Sequence, residues 1–163
     1  MVKYFVAVLV LVCVGSCSLN PVHDEAVADL GPEEAGVPQG PLHRPDQPCL
    51  VCHSDMSVAG TIHAAPDDPA PLANVVVTLT DAHGSQTTAT TNAAGNFFVE
   101  TRAWAPTYPI HATIALGSLD AIMNTEIGRD GSCASCHVAP ATRISAGLVF
   151  LAPTVALLPD GGT

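Results

Sequence analysis

The sequence predicts a mainly β fold: a small antiparallel β-sandwich carrying two cysteine-bearing loops and preceded by a disordered N-terminal tether. Three observations predict it. The β-branched run Val75-Val76-Val77-Thr78-Leu79-Thr80 meets a turn, Asp81-Ala82-His83-Gly84, and the chain returns as an extended stretch from Gln86 to Thr91. A second turn, Asn92-Ala93-Ala94-Gly95, leads into the apolar stretch Asn96-Phe97-Phe98-Val99-Glu100. By contrast, Ser18 to Pro48 is rich in Pro, Gly, Asp and Glu and has no sustained apolar periodicity.

Residues 1–16 read as an export signal. Lys3 precedes an apolar run from Tyr4 to Val14 that is too short to span a bilayer and is shaped like a secretory h-region. The following Val14-Gly15-Ser16-Cys17 resembles the lipobox of bacterial lipoproteins. That resemblance implies cleavage before Cys17, lipidation of Cys17, and membrane attachment through the lipid alone. By the family's sorting rule, Ser18 in place of an aspartate directs the chain to the outer membrane, facing the periplasm or the cell surface. Ordinary cleavage to an unanchored exported protein is the alternative. Residues 17–42 form the flexible acidic Pro/Gly tether.

Residues 43–56 and 118–143 each contain the same five-residue pattern, Cys49-Leu50-Val51-Cys52-His53 and Cys133-Ala134-Ser135-Cys136-His137. Two thiols three positions apart on one turn of chain can each add to a vinyl group of one porphyrin, and the adjacent histidine can reach its iron. The pattern resembles the attachment signature of c-type cytochromes. That resemblance implies two covalently bound haem c groups, with thioethers at Cys49, Cys52, Cys133 and Cys136 and with His53 and His137 as proximal iron ligands. Six cysteines are present; with Cys13 in the signal and Cys17 at the lipid site, the two pairs use the rest. Two disulfides, or one zinc held by all four thiols, would satisfy the same cysteines without needing either histidine.

Residues 57–117 form the predicted β-sandwich. Gly60-Thr61-Ile62-His63 starts a strand, and alternation turns Ile62, Val75, Val77, Leu79, Phe97 and Val99 inward, with Ile110, Ala112, Ile114 and Leu116 of the next strand. His63 and His111 should then point outward. Pro71 to Leu79 and Thr91 to Phe97 resemble the carboxypeptidase regulatory-like (transthyretin-like) β-sandwich, a scaffold that brings no catalytic residues. One helical turn is expected near Leu119 to Met123. A last strand, from about Ile144 to Leu151, opens the final segment, residues 144–163. Beyond the signal, the aromatic residues available to the core are Phe97, Phe98, Trp104, Tyr108 and Phe150. Trp104 and Tyr108 can pack against porphyrin edges or plug the end of the sandwich.

The second axial ligand sets a haem's redox range, since His/Met ligation raises the potential relative to two histidines. His43, six residues before Cys49 in a proline-stiffened run, is the leading candidate at the first motif, and Met123, ten residues before Cys133, at the second. His63 and His111 could meet a haem lying on the sheet. His83 sits in a turn, His23 in the tether, and Met56 on the proximal side of its own haem.

Without residues 1–16 the chain has four basic side chains (Arg44, Arg102, Arg129, Arg143) against fifteen acidic ones, a formal balance of −11. Nucleic acid is excluded as a sensible partner; a redox protein with a basic docking face suits this charge. The reading these features favour is electron transfer by a non-enzymatic two-haem cytochrome at the cell envelope. The alternatives are an exported β-sandwich binding or structural module whose cysteine pairs hold zinc or disulfides, and a small haem peroxidase or reductase. The last needs acid/base groups beside an open iron, and no cluster of that kind is evident.

Overall fold

The computed structural model describes residues 20–152 apart from 34, 38 and 67. The expected signal, Cys17 and the tail from residue 153 lie outside the described residues. The chain divides between Pro32 and Glu33 into two units. No helix among the described residues is long and apolar enough to cross a membrane.

In the first unit the expected tether contains a helix, α1 (Pro21–Asp29). Its ends account for it. The Asn20 side chain accepts the His23 N–H at 3.2 Å, Pro21 occupies the first turn, where its missing N–H costs nothing, and Asp24 faces the positive helix end. No residue of α1 is buried, so capping and local propensity shape it rather than packing.

The second unit is mainly β, built from antiparallel sheets. Its strands are β1 (Met56–Thr61), β2 (His63–Ala65), β3 (Asp68–Pro71), β4 (Val76–Thr80), β5 (Gln86–Thr90), β6 (Asn96–Glu100), β7 (His111–Leu116) and β8 (Leu119–Ile122). A four-stranded sheet runs β5-β4-β7-β8, and β1-β6 and β2-β3 form two-stranded sheets. The predicted hairpin is β4–β5, in register from Val76 opposite Thr90 to Thr80 opposite Gln86.

Val58, Ile62, Val75, Val77, Leu79, Phe97, Val99, Ile110 and Ile114 form one buried cluster, with Ala112 and Leu116 packed against it. Each fully buried aliphatic side chain contributes about 1.5–3 kcal/mol. Trp104 joins this cluster, and its Nε1–H donates to Ser85 Oγ at 3.1 Å beside the β4–β5 turn. Of its two expected roles, Trp104 takes that of end plug.

Four expectations change. Leu119 to Ile122 is a strand and not a helical turn, because the chain reverses at Gly117, where φ is +60°, and pairs with β7. Ile144 to Leu151 is no ladder strand; its pairing is a single parallel bridge, Phe150 to His63, and Ile144 is exposed. Phe98 and Phe150 lie exposed rather than in the core. His63 is buried, not outward, because Asp46 folds over it.

The β4–β5 turn is held by one carboxylate. Asp81 Oδ1 accepts the N–H groups of His83 and Ser85, each at 2.9 Å, and Oδ2 accepts that of Thr107 at 3.1 Å. These bonds, the one from Thr107 first, hold the Asp81 carboxyl below its ordinary value of 3.8. A depressed folded pKa contributes stability that is complete above the unfolded value and is lost as pH falls through the folded one. Acid denaturation should therefore erode the native chain below pH 3.8, and Asp81→Asn should flatten that slope while lowering stability at neutral pH. Urea midpoints measured across pH check this; parallel curves for the two proteins would contradict it.

Candidate functional site

Both cysteine motifs adopt the same single turn. Cys49–Val51 and Cys133–Ser135 are 3-10 turns. The N–H groups of Cys52 and His53 donate to Cys49 O at 3.1 and 3.0 Å, and those of Cys136 and His137 to Cys133 O at 3.1 and 2.9 Å. The first cysteine of each pair is part-buried and the second exposed, and all four are free thiols.

Strand β1 brings the motifs together. The first leads directly into it: the Met56 N–H donates to His53 O, and the Thr101 N–H to Asp55 O at 2.8 Å. The second leaves from alongside it. Ala59 is flanked by Phe98 of β6 on one edge and by Ser132, in parallel, on the other. The Ala59 N–H donates to Gly131 O at 3.0 Å. The chain departs through residues 133–148, then rejoins the same edge, where Phe150 pairs with His63. The second motif is thus an excursion between two short parallel pairings.

Small residues make this approach feasible. At Gly60 a Cβ would stand 2.7 Å from both Cβ and Sγ of Cys133; at Gly131 it would stand 2.0 Å from the Ser57 carbonyl oxygen. The Cys133 thiol therefore fills the space left by an absent side chain. Burial, then the neighbouring Cys49, pushes its pKa up to about 12. Burial raises Cys49 as well.

His137 Nδ1 is 2.9 Å from the Gly147 carbonyl oxygen, which fixes the tautomer with a proton on Nδ1 and leaves the Nε2 lone pair for a metal. His53 Nδ1 lies 3.9 Å from an Asp55 carboxylate oxygen. His43 Nδ1 contacts the Gly40 carbonyl oxygen. The rings of His43 and His53 are neighbours, with centroids 5.7 Å apart and planes tilted by 51°. That spacing is near the roughly 6.4 Å between the ring centroids of two imidazoles bound on opposite sides of one metal ion by bonds of about 2.0–2.1 Å. The residues at the first motif are compatible with covalent haem, and the second motif shares its turn and holds His137 by Nδ1.

The other candidates are scattered. Met123 follows β8, its N–H donating to Ala112 O at 3.0 Å in the four-stranded sheet, whereas the second motif lies against β1. His111 is exposed, with Nε2 2.8 Å from Glu126 Oε1. His83 lies in the β4–β5 turn, His23 in α1, and Met56 at the start of β1. Tyr108 packs against the core, and burial raises the pKa of its phenol. Among the described residues no group of three or more His, Cys, Asp or Glu side chains is placed to hold a metal ion.

Sequence reasoning missed three contributors: the Gly147 carbonyl, Gly60, and Asp46 over His63. The first lies ten residues beyond His137 and the last seventeen before His63, so no local spacing marks either. A glycine within an apolar strand pattern was the available signal for Gly60, since it often marks a close approach of another segment. No family model matches the chain, and neither a curated protein nor a solved structure is similar to it.

Proposed function

We propose that this protein is an electron-transfer protein of the cell envelope, carrying two covalent haem c groups and anchored through lipid on Cys17. The observation that carries the reading is the pairing of His43 with His53 across 5.7 Å, beside a C-x-x-C turn whose geometry recurs at the second motif. When bound, the haem iron takes up and releases single electrons. The chain's own residues do the rest. Cys49, Cys52, Cys133 and Cys136 hold the porphyrins by thioether bonds, and His53 and His137 offer Nε2 to the irons.

His43 would hold the first iron together with His53, and two imidazoles would give it a lower potential than a His/Met pair. Met123, expected at the second, stands at the four-stranded sheet, whereas that motif lies against β1. Holding haem and passing single electrons requires neither a substrate pocket nor an acid/base pair, and we read the protein as a carrier. The excess of acidic side chains suits a redox partner with a basic docking face.

The test is the intact mass of the full chain, expressed with a haem-attachment system, together with its oxidised and reduced optical spectra. Two haems per chain and low-spin spectra are expected. The mass of the bare chain, of a chain with two disulfides, or of a chain with one zinc would end the reading. Cys17→Ala should release the protein from the membrane fraction.

A further inference from the structure

We infer that His63 is the positioning residue that holds His43 opposite His53, an inference that rests on the haem reading above. His63 is 1 % exposed, and a buried imidazole must be hydrogen-bonded to be tolerated. Its Nε2 lies 2.6 Å from Asp46 Oδ1, while its Nδ1, also buried, has no hydrogen-bond partner among the described residues. The bond to Asp46 is therefore the ring's single polar attachment among those residues.

Asp46 stands midway between His43 and Cys49, in the run that carries the axial histidine to the first motif. That run is bent through left-handed backbone at Arg44 (φ +47°) and Asp46 (φ +63°), conformations that non-glycine residues keep only when their surroundings impose them. Here the sheet imposes them. The Asp46 N–H donates to Thr61 Oγ1 at 2.9 Å, and the Thr61 hydroxyl donates to Asn96 Oδ1 at 2.8 Å. Asn96 Nδ2 in turn donates to the His43 carbonyl oxygen at 3.0 Å. His63, Asp46, Thr61, Asn96 and His43 thus form one hydrogen-bonded chain with the axial histidine at its end.

The base of this chain is itself fixed. The His63 N–H donates to Val149 O at 2.9 Å and its carbonyl accepts the Leu151 N–H at 3.0 Å. The imidazole is an anchored post to which the His43 run is tied.

The experiment uses the full haem-loaded chain and compares His63→Leu, which fills the space without a donor, with His63→Gln, which keeps one. Asp46→Ala removes the other partner, and His43→Ala sets the value for a lost axial ligand. Low-spin fraction and carbon monoxide uptake by the reduced protein are measured together with thermal midpoints. The Leu and Asp46→Ala variants should gain carbon monoxide reactivity at one of the two haems, matching His43→Ala, and the Gln variant should stay near the unsubstituted protein. In a background lacking the first haem (Cys49→Ser with Cys52→Ser), His63→Leu should leave the remaining haem's spectrum unchanged. Unchanged reactivity in the Leu variant, or equal changes in the Leu and Gln variants or at both haems, would reduce His63 to a packing residue. Absence of covalent haem from the unsubstituted chain would overturn the haem reading together with this one, whereas unaltered spectra of a haem-loaded Leu variant overturn this one alone.

Discussion

On the haem reading proposed above, serine at both Cys49 and Cys52 should leave a chain with one covalent haem instead of two, its intact mass lower by one haem and its Soret absorbance roughly halved on the one-haem-per-motif chemistry. A hydroxyl occupies nearly the volume of a thiol but does not form the thioether. The local turn should survive, because it is closed by backbone bonds from Cys52 and His53 to the Cys49 carbonyl and not by the sulfurs. The second motif should keep its own haem, since its support comes from Ala59, Gly131 and Gly147. Intact mass spectrometry and a pyridine haemochrome assay check this. Retention of both haems would mean that the first motif is not an attachment site, and loss of both would mean that the motifs do not load independently.

Gly131→Ala should destabilise the protein by about 3 kcal/mol or more, at the upper end of overpacking costs. The new Cβ would meet the Ser57 carbonyl oxygen at 2.0 Å and the Val58 Cα at 3.0 Å. Both are backbone atoms of β1 and cannot swing aside. Retreat is costly too, because Gly131 O accepts the Ala59 N–H and the segment would leave the sheet edge. Gly128→Ala is the control: nothing lies within 4 Å of its added Cβ, and it should be near neutral. Urea denaturation of the two variants separates them, and similar midpoints would show that β1 yields more readily than its packing implies. Since Gly131 lies two residues before Cys133, the same change should also lower haem content at the second motif.

How far the fold could be read from the chain depended on the range of the interactions involved. The β4–β5 hairpin was legible because the β-branched run, the turn and the returning strand are contiguous, and alternation placed Val75, Val77, Leu79, Phe97 and Val99 inward. The motifs were legible because their chemistry is confined to five adjacent residues. His63 was misplaced because alternation describes a strand with one open face, and Asp46 arrives from seventeen residues earlier to cover that face. Leu119 to Ile122 carries good helix formers, yet pairing with β7 outweighs that weak preference. Helix α1 was passed over because the composition around it dominates, although Asn20 and Pro21 are sound start signals. The approach of His43 to His53 depends on left-handed turns at Arg44 and Asp46, residues that rarely announce them.

The seating of Cys133 against Gly60 bears on the order of biogenesis. Its part-buried thiol packs against core side chains, with Phe97 also bordering Gly60, and burial pushes its pKa up, which disfavours the thiolate. Once β1 and β6 have closed, that sulfur is hemmed in on its Gly60 side. On the reading proposed here, joining the second haem is easier on a still-open chain, and a chain that folded early would load its second haem more slowly.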